Sequence, residues 1–270
     1  MKKLIFTLMM GAISATSFAQ TSTELGYSLG FSSYLGDLQP KVYTYDQPGF
    51  SSGMFIRENV TSFLSFRASF NYARLHASDS KSLDQGHKER NLSFRTYLVE
   101  FGADMQINML PFDKYNKSNK KYRRYFNYTP YVFGGVNVFH YNPKTMYKGQ
   151  WVDLQPLQTE GYTYNLTQVA IPFGLGFKYQ MNKHIGFSIE FGMRKTFTDY
   201  LDDVSTNYPN LNALAIKDPI AADLSFRGDE IPENPQTLPA AGSQRGLSQN
   251  KDWYIINNIS FTYKFFHKRF

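Results

Sequence analysis

The stretch Gln168–Tyr179, QVAIPFGLGFKY, decides the fold. Its odd positions are Val169, Ile171, Phe173, Leu175, Phe177 and Tyr179, and its even positions are Gln168, Ala170, Pro172, Gly174, Gly176 and Lys178. One face is apolar and the other is small or polar. Successive strand side chains point to opposite faces, so this is one strand between two environments. The next stretch repeats the pattern: Ile185, Phe187, Ile189, Phe191 and Met193 alternate with Gly186, Ser188, Glu190, Gly192 and Arg194. Only Gln180 to Lys183 separates the two, which predicts a hairpin. Pro172 cannot donate to a ladder, so a bulge or a missing hydrogen bond is expected there, on the polar face.

Working outward, Thr96–Asn108 alternates in the same way, with Tyr97, Val99, Phe101, Ala103, Met105 and Ile107 on one face and Glu100, Gly102 and Asp104 on the other. The C-terminal stretch does so with Trp253, Ile255, Ile259, Phe261, Tyr263 and Phe265, interrupted at Asn257. Weaker versions bring the strands to eight: about 23–34, 48–58, 62–76, 90–109, 128–141, 164–180, 184–198 and 251–266. The facing of the fifth is ambiguous. Connections alternate between short and long, as the turns and loops of bacterial membrane barrels do. The longest loop, Asp199 to Asn250, is expected to cap one mouth and to carry a short helix near Pro219 to Leu224.

Phe and Tyr number 24 and 20, yet mean hydropathy is −0.43. No stretch beyond the N-terminus approaches the run of about 20 apolar residues that a helix needs to cross a bilayer. An aromatic-rich, polar chain without apolar runs fits a barrel with a lipid face and a polar lumen. The fold expected is therefore all-β: an eight-stranded antiparallel transmembrane up-and-down barrel, with short periplasmic turns and longer extracellular loops. A soluble lipocalin-like barrel is the competing fold. Against it stand the large residues of the apolar face, which would overfill eight strands if they pointed inward. Tyr97, Tyr131, Tyr179 and Trp253 suit interfacial girdles.

Residues 1–19 have the form of a signal peptide: Met1, Lys2 and Lys3, an apolar stretch from Leu4 to Ile13, then Ser17-Phe18-Ala19 before Gln20. Residues 20–270 are then one barrel domain in the outer membrane, with both termini periplasmic. The chain has no cysteine, hence no disulfide and no lipid anchor by that route. Net charge is +7.

No enzyme constellation, cofactor motif or metal motif emerges. His76, His87 and His140 fall near strand ends, where a lipid-modifying barrel enzyme would need them, but no family spacing supports catalysis. Asp199, Asp202 and Asp203 are too few to hold Ca²⁺ by themselves. Arg67, Glu100, Asp104, Lys178, Glu190 and Arg194 all fall on the inward face, where unpaired charges are costly. They are expected to pair across strands and to make a plugged core. The connection LPFDKYNKSNKKYRRYFN, Leu110 to Asn127, carries Lys114, Lys117, Lys120, Lys121, Arg123 and Arg124 against Asp113, interleaved with Tyr115, Tyr122 and Tyr125. Two readings fit: attraction to anionic headgroups, or a docking face for a periplasmic protein. Nucleic acid is not a plausible partner in the periplasm.

Glu24-Leu25-Gly26, Tyr34-Leu35-Gly36-Asp37-Leu38, Thr129–Gly135, Ala170–Gly176 and Asp199-Tyr200-Leu201-Asp202-Asp203-Val204-Ser205 together resemble the PorG-like family. These are outer-membrane barrels of the Bacteroidetes type IX secretion system, which also powers gliding in some species. The resemblance spans nearly all of the chain after residue 19. It implies a barrel without enzymatic activity that associates with a periplasmic ring of the PorK lipoprotein and PorN. A structural barrel without a secretion role and a lipid-modifying barrel enzyme remain the alternatives.

Overall fold

The computed structural model describes residues 22–40, 47–112, 126–233 and 237–266. Nine strands are present: β1 (Ser22–Leu35), β2 (Gly49–Asn59), β3 (Leu64–Ser78), β4 (Ser93–Asn108), β5 (Tyr128–Tyr147), β6 (Gln150–Asp153), β7 (Thr167–Gln180), β8 (Ile185–Thr196) and β9 (Trp253–Phe266). Eight form a closed antiparallel ring. Each pairs with the next, β5 passes to β7, and β1 closes on β9 from Ser22↔Phe266 to Leu35↔Trp253. Closure leaves no edge along the ring, which lipid requires of a spanning sheet.

The extra strand is β6, which falls within what reads as a loop in the sequence. It hydrogen-bonds to an extension of β5 beyond Tyr141, from Lys144↔Asp153 to Tyr147↔Gln150. Lys148 and Gly149 between them both have positive φ, 47° and 84°, as a two-residue type I′ hairpin demands. The turns at the opposite end are shaped by side chains. Thr61 Oγ1 accepts the N–H groups of Phe63 and Leu64, and Asn182 Oδ1 those of His184 and Ile185. Below, the end bearing these two turns is called the turn end, and the other the loop end.

At Pro172 the β5–β7 ladder lapses: Gly134 pairs with Phe173 and Asn137 with Ala170, with no pairing between. The missing N–H is the cause. Pro172 is buried on the lumen side.

Burial follows the alternation. Leu25, Leu29, Phe31, Met54, Phe101, Leu175, Phe191, Ile259 and Phe261 stand on the outer face of the ring, and each has more than a third of its surface uncovered. Burying one such side chain is worth roughly 1.5–3 kcal/mol. A continuous apolar belt of this kind is the face of a transmembrane barrel.

The inner face departs from the sequence reading in one respect. It is small or polar on β7 and β8, but β1, β2, β5 and β9 also send large rings inward: Tyr34, Phe55, Tyr131, Phe133, Phe139, Tyr141 and Tyr254 are all buried. The facing of β5, ambiguous from its pattern, is thereby resolved with Val132, Val136 and Val138 outward. Tyr131 is not in an interfacial girdle, as its place near a strand end suggests, but fully buried in the lumen. The inner-face glycines make the room. Gly26 lies opposite Phe55, Gly176 opposite Tyr131 and Gly174 opposite Phe133. A Cβ on Gly26 would stand 2.1 Å from the Phe55 ring, and one on Gly176 would stand 2.4 Å from that of Tyr131. Each ring fills the socket its glycine leaves, a cross-strand pairing that stabilises sheet glycines.

The lumen has two zones. Towards the loop end, Leu75, Leu98, Phe139, Tyr141 and Tyr254 pack with Leu38, Leu92, Leu154, Leu201, Val204 and Leu224 from the connections. The long connection 197–252 covers this mouth. It contains α2 (Leu211–Lys217) and α3 (Pro219–Ser225), while α1 (Gln85–Arg90) belongs to the β3–β4 connection. Asp218 caps α3, accepting the N–H groups of Ile220 and Ala221 just beyond Pro219. Towards the turn end the lumen is charged.

Candidate functional site

In the charged zone, four carboxylates (Glu24, Glu100, Asp104, Glu190) meet five cations (Arg57, Arg67, Lys178, Arg194, Lys264), all buried. Arg67 is central. Its Nε donates to Asp104 at 2.8 Å on the adjacent strand, and its Nη1 and Nη2 grip Glu190 at 2.7 and 3.1 Å. Such a two-toothed contact is the strong geometry for a guanidinium and a carboxylate. The Tyr131 hydroxyl donates to Glu190 at 2.8 Å. The Phe55 and Phe133 rings lie 5.5 and 5.3 Å from the guanidinium carbon. The faces of aromatic rings attract a cation.

A second knot lies nearer the loop end. Glu100 accepts from the Tyr254 hydroxyl and from Asn71 at 2.8 Å, and the Arg194 guanidinium approaches it to 3.5 Å. Arg194 also donates to the Gly192 carbonyl at 2.8 Å. Lys178 makes no direct ion pair among the described residues. Its Nζ donates to Asn108 at 3.1 Å and lies 4.4 Å from the centre of the Tyr131 ring.

A third knot, at the turn end, joins residues the sequence reading passed over. Glu24 pairs with Arg57 at 2.7 Å and with Lys264 at 3.4 Å, and accepts from Asn59 at 2.8 Å. All three charged residues sit at inward positions of β1, β2 and β9. The alternation that singled out Arg67 and Glu190 reaches them as well. The space among Glu24, Arg57, Phe112, Lys178 and Lys264 is about 10 Å³, room for about one water. Phe112 lies against Lys264, 5.3 Å from the ammonium. The lumen thus holds charged side chains that meet across the bore at one end and an apolar core at the other.

The loop-end cap has its own polar framework. Arg245 donates to Glu160 at 2.8 Å and to the Asp203 carbonyl at 2.6 Å. Glu160 in turn accepts the N–H groups of Ser205 and Thr206 at 2.9 and 3.0 Å. The three neighbouring aspartates do not converge on a common point. Asp199 accepts from Ser205, Asp202 from Tyr34 at 2.6 Å, and Asp203 from Thr159 and Tyr164. Among the described residues no three acidic or histidine side chains form a metal-ligand group. Burial pushes the Asp203 carboxyl up to about 6, against the opposing pull of Arg245 and the Thr159 and Tyr164 hydroxyls. The Tyr34 hydroxyl lies within hydrogen-bonding distance of both Asp202 and Asp252, at 2.6 and 2.9 Å. Burial drives both carboxyls well above the usual carboxylate range.

The histidines are dispersed. His140 is outward on β5 and bonds Thr167 at 3.0 Å, while His87 in α1 bonds Ser82 at 3.3 Å. His76 faces outward on β3. Lys114, Tyr115, Lys117, Lys120, Lys121, Tyr122, Arg123, Arg124 and Tyr125 lie outside the described residues, as does the 1–19 segment.

A family model described as a domain of unknown function, DUF6089, matches residues 2–223. No curated protein matches the chain. Among solved structures, a major outer membrane protein from Thermus thermophilus is similar at 13% identity and a TM-score of 0.43, covering 91% of this chain and 99% of that one. The attachment invasion locus protein Ail of Yersinia pestis is similar at 10% identity and a TM-score of 0.39, covering 91% and 97%. Neisserial surface protein A is similar at 7% identity and a TM-score of 0.41, covering 92% and 98%.

Proposed function

This chain belongs to the DUF6089 family, and from that premise we propose that it is an outer-membrane anchor rather than a conduit: a barrel component of a type IX secretion and gliding machinery that docks a periplasmic lipoprotein ring. The observation that carries this reading is the filled lumen, crossed by the Arg67–Glu190 pair. A barrel that cannot pass solute acts through its surfaces. In this reading the loop end faces outward, and both termini and the turn end face the periplasm, as short turns do in bacterial barrels. The docking face is the basic, tyrosine-bearing segment Lys114 to Tyr125, a composition that favours protein interfaces. The partners are PorK- and PorN-like ring proteins. The chain's resemblance to PorG-like barrels supports this choice of assembly.

The test is a mild-detergent pull-down of a tagged copy from its native membrane, with mass spectrometry of what accompanies it. Recovery of ring proteins, lost when Lys114, Lys117, Lys120, Lys121, Arg123 and Arg124 are changed to Gln, is the expected result. Recovery of the barrel alone, with secretion intact after deletion of the gene, would overturn the secretion role and leave a structural barrel.

A further inference from the structure

On the outer face of the ring, near the loop end, the register brings basic residues into one patch. His76 on β3 lies opposite Arg95 on β4, and Arg95 lies opposite Lys144 on β5. Arg74 is the diagonal neighbour of Arg95. One acid adjoins them, Asp153 on β6, and it is engaged by Lys144 at 2.7 Å and by Asn142 at 3.1 Å. Arg74 and Arg95 have no ion-pair partner among the described residues. The Arg95 guanidinium instead lies 3.5 Å from the centre of the Trp151 ring and 4.9 Å from that of Tyr97.

Three nitrogens of this one patch, Arg74 Nε, Arg95 Nε and His76 Nδ1, are shielded from solvent and have no hydrogen-bond partner, and neither has one acceptor, Asn142 Oδ1. A buried donor left unmade costs roughly 1–3 kcal/mol, and more when charged. The two arginine donors, side by side and both cationic, call for an acceptor with several oxygens and negative charge. A cleft of about 310 Å³ opens beside them, lined by Arg74, His76, Ser78, Ser93, Arg95 and Trp151.

The position along the barrel identifies the source of the acceptor. Tyr72 and Tyr97 stack at 6.0 Å one step nearer the turn end, and Phe70 and Phe101 meet at 4.8 Å below them. Going up β3, the outward residues are Phe66, Ala68, Phe70, Tyr72, Arg74 and His76. Apolar residues suit the hydrocarbon, tyrosine suits the interface, and arginine suits the headgroup layer. Arg74 stands about 13 Å along the strand from Phe70 at the usual strand rise.

We propose that Arg74, His76 and Arg95, with Trp151 as a stacking wall, form a binding site for the phosphate of a lipid headgroup in the leaflet at the loop end. The planar guanidinium fork matches phosphate in two-toothed fashion. The site rests on the barrel spanning a membrane and not on the secretion role. A bound lipid held there would fasten β3, β4 and the β5–β6 hairpin to the bilayer.

The test places the full chain in phosphatidylcholine nanodiscs doped with phosphorylated lipid A or with its dephosphorylated form. Retained lipid is then read by native mass spectrometry. The wild type is expected to retain the phosphorylated form and to release the other. The double variant Arg74→Gln with Arg95→Gln is expected to lose retention about tenfold or more, as the loss of charge-assisted hydrogen bonds implies. Equal retention of both lipids by the wild type would overturn the proposal, and that comparison stands even if the variant does not fold. Release of the lipid by excess inorganic phosphate alone would overturn the assignment to a headgroup. Failure of the wild type to enter nanodiscs at all would overturn the membrane assignment with it.

Discussion

Arg67 and Glu190 stand on opposite walls of the barrel, four strands apart around the ring in either direction, and their side chains meet at 2.7 Å. A bond across the full bore fixes the distance between the walls as well as filling the space. Arg67 also neutralises Asp104 at 2.8 Å. Replacing it with Met leaves two buried carboxylates without their cation. Breaking a buried pair by removing one partner costs roughly 3–5 kcal/mol. Arg67→Met is therefore expected to lower the unfolding midpoint in denaturant titrations of the barrel in vesicles. Adding Glu190→Gln is expected to recover part of the loss. A variant within about 1 kcal/mol of the wild type, the median worth of an exposed pair, would mean that the network bears no strain-holding role.

The same pair predicts electrical silence. In planar bilayers the wild type is expected to show no stepwise current. The charged zone lies nearer the turn end than the cap, so replacing residues 207–250 by a short linker is expected to leave the barrel silent as well. Discrete current steps from the wild type would contradict the filled lumen. Steps seen only after the replacement would move the seal from the charged zone to the cap.

The glycine sockets are directly testable. A side chain on Gly176 would press into the Tyr131 ring, and that ring carries the hydroxyl that donates to Glu190. Gly176→Val is expected to cost about 1–3 kcal/mol, the usual range for overpacking. Removing the ring as well, with Tyr131→Ala, is expected to relieve the clash, so the two effects would not add. The checking measurement is a double-mutant cycle on unfolding free energy. Additive effects would show that the ring does not occupy the socket.

The outer face was legible because its signal is local: on β4, β7 and β8 period-two alternation of large apolar residues gives both strand and facing. Eight ring strands follow from it. The inner face was less legible, because what a lumen position holds depends on the strand across the bore. Gly26 and Gly176 look like a narrow interior until Phe55 and Tyr131 are seen above them. Glu24, Arg57 and Lys264 were reachable by alternation but lie in strands with weaker patterns. β6 went unseen because four residues are too few to show a period. The DYLDDVS segment carried a family likeness without a role. Its carboxylates each accept a separate hydrogen bond inside the cap, a property of the folded loop that spacing does not encode.

That cap should respond to pH. Burial raises the Asp203 carboxyl to about 6, above its ordinary value near 3.9 in an unfolded chain. The folded cap therefore binds this proton more tightly than the unfolded one. Its contribution is fully present below the unfolded value and is lost as pH rises through the folded one. The Asp202–Asp252 pair, also raised by burial, acts in the same direction. The cap is thus expected to be more protected at about pH 5 than at about pH 8, opposite to a protein held by depressed carboxylates. Hydrogen exchange of the Ser205 and Thr206 amides, which Glu160 holds, reads this after correction for intrinsic rates. Asp203→Asn removes the titration, keeps an oxygen for one of the two hydroxyls of Thr159 and Tyr164, and turns an N–H toward the oxygen of the other. It is expected to flatten the pH response and to raise protection at neutral pH. Protection that instead increases with pH in the wild type would show that the Arg245 ion pairs, and not the buried carboxyls, govern the cap.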